Sequence, residues 1–372
     1  MIDTIVLALS KDMFTISEPD KFVPSARWAL NENGRFFLGI QSKQNPTKKE
    51  LLQGIYKPRL TLSHRINSLG KNEISLKVEL SLPKLFWGNN FDELRYKDFV
   101  PLLQKLTTVL QQMGVMVEPD LLAQAPLSAI HYSKNILLTD GSIPYHFISK
   151  VKEANIKLSL DVNQTDYRND GHSYKWHCNS YEVVFYDKIK DLEKAKQSSK
   201  RSLEKDSSLQ ISLLNTFKNR KKLEVLRMEV RLNKRQKIKA LLKTLDIKSD
   251  LSFKSLFKPA ISRKILLHYI DELESKRSSL LDYKPANDKA LLATLVMNNP
   301  ELSTTKILQM FGLKKALESV TMRELRVMFS KHNQRSWYRL MADVNKTRLP
   351  VSKNIFGLIR ENLKKSNTSK LF

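Results

Sequence analysis

Apolar and polar residues alternate along several short segments of the chain, and this pattern predicts β-strands. The clearest example is 74–82, in which Ile, Leu and Val alternate with Ser, Lys and Glu. Successive side chains of a strand point to opposite faces, so this segment is expected to form a half-buried strand. The amino terminus lacks the basic leader of a signal peptide and also predicts a strand. Three further segments predict strands: 126–133, 181–188 and 223–232.

Helical periodicity appears between these strands. Residues 92–113 have apolar positions at helical spacing and are followed by Gly114, as is common at the end of a helix. Residues 190–222 are charged and contain neither Gly nor Pro, which predicts an exposed helical excursion. The polar, turn-rich segment 159–175 is predicted to be a loop.

From residue 234 onward the pattern changes to successive helices punctuated by prolines. Helices are predicted at 234–245, 261–280, 286–298, 303–317, 321–331, 334–344 and 351–365. We place a domain boundary near residue 280, where LLDYKP is typical of a linker. The prediction is an α+β fold, with a mainly antiparallel sheet and flanking helices in residues 1–280 and an all-helical domain in residues 281–372.

The charge of the chain indicates an anionic partner. With 64 Lys and Arg against 38 Asp and Glu, the formal net charge is +26, a field that favours nucleic acid. A membrane fits less well, because no apolar run approaches the length of a spanning helix. A lysine-rich composition can also reflect only a biased genome. Cys178 is the only cysteine, which excludes disulfides within the chain and favours a reducing cytosol.

The polar faces of the predicted strands gather residues that suit phosphodiester chemistry. Tyr186 and Lys188 share one face of 181–188, opposite Tyr181. Polar faces of the other predicted strands carry further candidates, which include Glu79, His131, Arg227, Glu229 and Arg231.

These residue types have defined uses in phosphoryl transfer. A tyrosine has a pKa near 10, so it needs a base or a cation to act as a nucleophile; Lys188 could stabilise its phenolate. Carboxylates and an imidazole can hold Mg²⁺ or Mn²⁺, which polarises a phosphate. The two arginines, Arg227 and Arg231, can brace phosphate oxygens.

Each of these residues also has a structural interpretation. A strand tyrosine can simply complete a sheet, alternating Arg-Glu-Arg is common in cross-strand ion-pair ladders, and a single histidine is often a hydrogen-bonded structural residue. The sequence contains no Walker loop, no HExxH helix and no pair of histidines separated by one apolar residue, the motif of the histidine-pair nucleases.

Several segments, in the expected order, resemble the gene II/gene X replication-associated proteins of filamentous phages and related plasmids. They are the amino-terminal MIDTIVLAL, KVELSLPKLFWGNNFDEL (77–94), VVFYDKIKDLE (183–193), LRMEVRLNKR (226–235) and the carboxy-terminal 332–355. The family commonly has Asp in the strand written here SAIHYSKN, where this chain has His131.

This resemblance implies a rolling-circle replication initiator of the bacterial host cytosol. Such a protein nicks one strand of a double-stranded origin through Tyr186, stays attached to the 5′ phosphate and later rejoins the displaced single strand. The resemblance also selects Lys188, Glu79 and Glu229. It implies that the two carboxylates, together with His131, are ligands of Mg²⁺ or Mn²⁺. Its partners would be the origin, the displaced strand and the host helicase and replication machinery.

The basic segment 188–243 is expected to line the path of DNA toward Tyr186, with contacts that position the duplex without reading bases. Within it, the run Lys218, Arg220, Lys221 and Lys222 is predicted to contact phosphates. Sequence preference is expected from 303–331, which is similar to a helix-turn-helix.

Two other functional classes remain open. One is a non-catalytic origin-binding initiator or repressor in which Tyr186 is structural. The other is an RNA-binding protein, although RNA-binding sheets present stacking aromatics and the polar strand faces here are mainly charged.

Overall fold

The structure of the protein is a computed structural model. The structure describes residues 2–25, 41–66, 70, 72–138, 141–154, 165–168, 170–197, 224–275, 280, 283–320, 322–330, 333–350 and 355–364.

A ten-stranded antiparallel sheet forms the centre of the described part of the chain. Its strands run in the order β3-β4-β5-β6-β1-β8-β12-β11-β10-β9, and β2 pairs separately with β7. The strands are β1 (Ile2–Ser10), β2 (Thr15–Ile16), β3 (Val23–Ser25), β4 (Gln41–Gln44), β5 (Arg59–Ile66), β6 (Asn72–Ser81), β7 (Val115–Met116), β8 (Leu127–Leu138), β9 (Thr165–Arg168), β10 (Ser173–His177), β11 (Tyr181–Asp187) and β12 (Glu224–Leu232).

Helices lie beside the sheet and follow it. They are α1 (Lys48–Leu52), α2 (Leu82–Trp87), α3 (Phe99–Gln112), α4 (Pro119–Gln124), α5 (Pro144–Ala154), α6 (Lys188–Gln197), α7 (Arg235–Thr244), α8 (Phe253–Leu256), α9 (Pro259–Ser275), α10 (Asp288–Asn298), α11 (Thr304–Ala316), α12 (Met322–Ser330), α13 (Gln334–Lys346) and α14 (Ile355–Lys364). The prediction of an α+β fold with a mainly antiparallel sheet is confirmed. Among the helices of the described ranges, none combines the length and apolar character needed to span a bilayer.

Strand alternation determines which residues enter the core. In β6, Leu76, Val78 and Leu80 are buried, whereas Lys77 and Glu79 between them are exposed. The apolar side chains of β8, β11 and β12 join the same core, against helices that include α5, α7 and α9. The predicted strands at 74–82, 181–188 and 223–232 therefore exist with the predicted core faces.

Two local predictions need correction. The segment 159–175 is predicted from sequence to be a loop, but its described residues include β9 and β10, which pair as a hairpin at the edge of the sheet. The alternation Ser-Tyr-Lys-Trp-His places Tyr174 and Trp176 in the core, and the polar composition around it hides this pattern. The helix expected at 92–113 begins only at Phe99. In the predicted excursion 190–222, α6 covers the first residues, and 198–223 lie outside the described residues.

Buried apolar residues form two large clusters. The first belongs to the sheet and its helices, and the second to residues 280–349 of the helical region. Helix α14 does not follow the predicted domain boundary near residue 280. Its Phe356, Ile359 and Leu363 belong to the first cluster, although the helix lies in the predicted second domain. Residues 281–372 thus contribute to both cores.

Candidate active site

The register of three central strands brings the predicted polar residues onto one face of the sheet. Tyr186 pairs with Arg227, which pairs with Asn135 on its other side. Two residues along, Glu229 lies opposite Ser133. Directly paired residues project to the same side of a sheet, so these side chains form one group on β11, β12 and β8.

Tyr186 is held by a carboxylate within this group. Its hydroxyl donates a hydrogen bond of 2.7 Å to Glu229 Oε1, and only 8% of the residue is exposed. Burial, and next the negative charge of Glu229, raises the pKa of the Tyr186 phenol well above its usual value. The hydroxyl is therefore protonated at neutral pH in this arrangement.

Glu229 is in turn fixed by two arginines. Its Oε1 accepts a hydrogen bond of 2.7 Å from Arg227 Nε, and its Oε2 accepts bonds of 2.9 and 2.7 Å from Arg231 Nε and Nη2. Burial acts to raise the pKa of Glu229, but the charges of Arg231 and Arg227 outweigh it and hold the pKa well below the usual range. The carboxylate thus stays ionised and oriented toward the tyrosine.

Arg227 is enclosed by protein oxygens, which corrects the expectation that it braces a DNA phosphate. Only 2% of the residue is exposed. Its Nη1 donates to Asn90 O and to Asn135 Oδ1, and its Nη2 donates to Ser133 Oγ and lies 3.3 Å from Asp3 Oδ2. With these partners the guanidinium positions Glu229 and has no free donor to offer to a phosphate.

Arg231 is more open than Arg227. Its side chain is 33% exposed and donates to Glu182 across the strand pair, in addition to Glu229. It lies at the edge of the network, opposite His131, and is the arginine of the pair that solvent reaches.

Residues 88–95, which we refer to as the covering segment, lie over the polar face near Tyr186. The covering segment meets β8 beyond the point where β1 begins, since Ile2 pairs with Tyr132. There Glu93 accepts hydrogen bonds from the Asn135 backbone N–H and from Lys134 Nζ, at 2.8 and 2.6 Å. The bond to Asn135 satisfies a backbone N–H of β8 at this edge, and the bond to Lys134 is a buried ion pair.

Lys188 lies beneath the covering segment. It is 2% exposed, and its Nζ is 5.2 Å from the centre of the Phe91 ring and 5.8 Å from that of the Tyr186 ring. No acceptor among the described residues takes a hydrogen bond from this ammonium group. Burial, and next the charge of Arg227, lowers its pKa to about 8. Lys188 is therefore beside Tyr186, as predicted, but in an enclosed apolar setting.

The three predicted metal ligands do not come together. Glu79 is exposed on β6, and β1 and β8 lie between it and Glu229 on β12. At a strand spacing of about 4.8 Å, this separates the two backbones by at least roughly 14 Å. His131 bonds through Nε2 to Asn233 Oδ1 at 3.2 Å, and burial, followed by the charge of Arg231, lowers its pKa.

Arg231 lies directly opposite His131 on the neighbouring strand. Its guanidinium donates to Glu229 Oε2. The described residues contain no group of three or more His, Cys, Asp or Glu arranged to hold a metal ion. A single Mg²⁺ or Mn²⁺ centre made by Glu79, His131 and Glu229 does not fit this structure.

The predicted DNA-contact residues have different outcomes. Lys218, Arg220, Lys221 and Lys222 all lie outside the described residues. The segment 303–331 contains the two predicted helices, α11 and α12, and its role in sequence recognition stays a prediction.

Sequence reasoning missed several participants in the network, among them Asp3, Asn90, Glu93 and Asn135. Asn135 was missed because the predicted strand ended at 133, whereas β8 continues to Leu138; extending the i, i+2 spacing from His131 would have found it. The other three are distant in sequence, and no local pattern marks them.

The fold and the site define an α+β protein with a buried tyrosine–carboxylate–arginine network on a central antiparallel sheet. Comparisons of the chain with models of protein families, with curated proteins and with solved structures found no match.

Proposed function

We propose that the chain is a DNA-nicking and rejoining enzyme that initiates rolling-circle replication, with Tyr186 as its nucleophile. The observation that carries the proposal is the 2.7 Å hydrogen bond from the Tyr186 hydroxyl to Glu229. A nucleophile in hydrogen-bond reach of a base, with the base oriented by further groups, is the usual arrangement for covalent catalysis. The two arginines provide that orientation here.

In the proposed reaction the Tyr186 oxygen attacks the phosphorus of one DNA strand. Because the pKa of Glu229 is held low and that of Tyr186 is raised, the proton passes to Glu229 as the bond to phosphorus forms, when the phenol oxygen becomes more acidic, and not before. The bond from phosphorus to the 3′ oxygen breaks, and that oxygen takes the proton held by Glu229, directly or through water, and leaves as a 3′ hydroxyl. The 5′ phosphate stays on the tyrosine until a 3′ hydroxyl attacks it and reseals the strand. Lys188, the one cation of the network without a hydrogen-bond acceptor among the described residues, is placed to receive the negative charge.

Substrate must first reach an enclosed hydroxyl. The covering segment and α6 meet over this site, where Phe91 packs against Leu192. Entry of the DNA strand therefore requires the covering segment to move away from Lys188 and Tyr186. A phosphate beside Lys188 would then take the place of the aromatic ring as partner of the cation.

A non-catalytic DNA-binding initiator or repressor is the second candidate. The observation that favours it is the burial of Tyr186, because a hydroxyl bonded to a structural carboxylate also completes a stable network. In that protein the tyrosine would matter only for stability.

Tyr186→Phe separates the two candidates. The substrate is supercoiled DNA that carries the intergenic region of the chain's own replicon, with Mg²⁺, Mn²⁺ or EDTA in parallel. The enzyme should give relaxed circles with protein bound covalently to a 5′ end, and the variant should give none while still binding DNA. Tyr181→Phe is the matched control, since Tyr181 lies on the opposite face of the same strand. Nicking that persists in Tyr186→Phe would reject the proposed nucleophile.

A further inference from the structure

Helix α7 presents a straight row of basic residues to solvent. Its apolar residues Ile238, Leu241 and Leu242 are buried in the core. Arg235, Lys239 and Lys243 are exposed and follow one another at intervals of four residues. Such positions lie on one face of a helix and rise by about 6 Å each, so the row is about 12 Å long.

The basic residues of this row differ from some other helical lysines of the chain, which form ion pairs with acids three residues further along. Lys190 pairs with Glu193, and Lys315 pairs with Glu318, each within one helical turn. Helix α7 contains no acidic residue, and no described acid forms an ion pair with Arg235, Lys239 or Lys243. Their charges therefore add to a local positive field instead of being neutralised.

The row lies on the side of the sheet away from the Tyr186 hydroxyl. Lys237 of the same helix places its Nζ 4.3 Å from the ring centre of Tyr181. Tyr181 packs near Tyr269 in the core and faces opposite to Tyr186 in β11. The α7 part of the basic segment 188–243 therefore does not face Tyr186, because α6 and α7 lie on opposite faces of the sheet; residues 198–223 of that segment lie outside the described residues.

The composition of the surface indicates its ligand. The remaining exposed positions of α7 are Gln236, Ala240 and Thr244, so the helix offers no aromatic ring on which a base could stack. Proteins that bind single strands combine a basic groove with stacking aromatics. A convex row of cations without aromatics fits the regularly spaced phosphates of a duplex backbone, at about 3.4 Å of axis per phosphate on each strand.

We propose that Arg235, Lys239 and Lys243 of α7 bind the phosphate backbone of duplex DNA, on the side of the sheet opposite to Tyr186. That the bound polymer is DNA rests on the proposed function, but binding by this row does not depend on the nicking reaction. This surface anchors the duplex without reading its sequence, while the Tyr186 side receives the strand to be cut.

The test measures how the affinity for a duplex of arbitrary sequence, without the origin, varies with salt. In the full chain, Arg235→Gln, Lys239→Gln and Lys243→Gln are combined. Removing one cation from a phosphate should reduce the log–log salt slope by about 0.9, and removing all three should reduce it by up to about 2.7. Two further triple variants serve as controls. The first control combines Arg235→Lys, Lys239→Arg and Lys243→Arg and keeps the charge. The second control combines Lys11→Gln, Lys97→Gln and Lys254→Gln and removes the same amount of charge from other exposed sites.

A slope that falls in the first variant alone supports the proposal. A slope equal to that of the control that removes the charges of Lys11, Lys97 and Lys254 overturns it. Loss of binding to polyglutamate, with duplex binding unchanged, would also overturn it and assign the row to an acidic protein partner. Nicking of a short single-stranded substrate should survive in all three variants, and Tyr186→Phe should leave the slope unchanged, so this result and that of the nicking test are independent.

Discussion

The buried ammonium group of Lys188 should make the protein less stable than it could be, and Lys188→Met tests this directly. Methionine is unbranched, of similar length and apolar, so it can fill the space between the Phe91 and Tyr186 rings. The substitution removes the charge and no hydrogen bond to a described residue.

The magnitude follows from the pKa of Lys188, which burial lowers from a usual value near 10.5 to about 8. That difference corresponds to about 3 kcal/mol of unfavourable free energy for the charged form in the folded state. The two cation–π contacts offset about 1 kcal/mol. We therefore expect Lys188→Met to raise the free energy of unfolding at pH 7 by about 2 kcal/mol.

The penalty for burying charged Lys188 should depend on pH, and the direction of that dependence follows from its lowered pKa. Below pH 8 the lysine is charged in both the folded and the unfolded state, so the full penalty is present. Between pH 8 and 10.5 the folded protein binds fewer protons than the unfolded one, and the penalty disappears as the pH rises. The stability gained by Lys188→Met should therefore shrink across this window.

Urea unfolding of both proteins at a series of pH values measures the difference. The matched control is Lys190→Met, an exposed lysine paired with Glu193, which should change stability by less than about 0.5 kcal/mol. A Lys188→Met protein that is less stable at pH 7, or whose gain does not vary with pH, would refute the reasoning. A stabilised variant that no longer nicks DNA would show that the lysine is retained for function at the expense of stability.

The remaining predictions concern the network and the helical region. Glu229→Gln leaves two arginines facing a neutral group and should destabilise the protein by about 3–5 kcal/mol, measured by urea unfolding at pH 7. Because the pKa of Glu229 is held low in the folded protein, the stability that its charge contributes is present above the pKa of the unfolded state and is lost in acid. The stabilities of wild type and variant should therefore converge at low pH. Tyr181→Phe should keep nicking activity in the plasmid assay, and its loss there, with Tyr186→Phe active, would mean that the wrong face was assigned. Truncation after residue 280 should lower the melting temperature, since it removes α14 from the first core. Replacing 283–349 with a Gly/Ser linker should preserve the first core while reducing preference for origin over random DNA, and an unchanged preference would place recognition outside residues 283–349.

Strand alternation predicted much of the sheet, because a two-residue period is a local property. It assigned Tyr181 and Tyr186 to opposite faces and placed Arg227 and Glu229 together, as the register shows. The alternation did not reveal that this polar face is buried. Its cover is a segment that ends more than ninety residues before Tyr186 in the sequence, and the helical spacing of 92–113 had hidden it.

The metal hypothesis failed for a related reason. Glu79 and Glu229 each lie on a polar strand face, which the pattern predicts correctly. Convergence depends on the order of strands in the sheet, and β1 and β8 lie between them. Nothing in the spacing of either segment encodes that order, since it follows from long-range pairing.

Helix α14 has a consequence for the order of events during synthesis. Its Phe356, Ile359 and Leu363 complete a core whose first strand begins at Ile2. A ribosome releases the amino-terminal strands long before these residues emerge, so the sheet cannot reach its final packing until the helical region has been translated. Contacts between such distant parts of a chain form slowly, and nascent sheets with exposed apolar surface are prone to aggregate. Pulse-labelled chains halted before residue 355 should accordingly be more sensitive to protease in their first 280 residues than the finished protein.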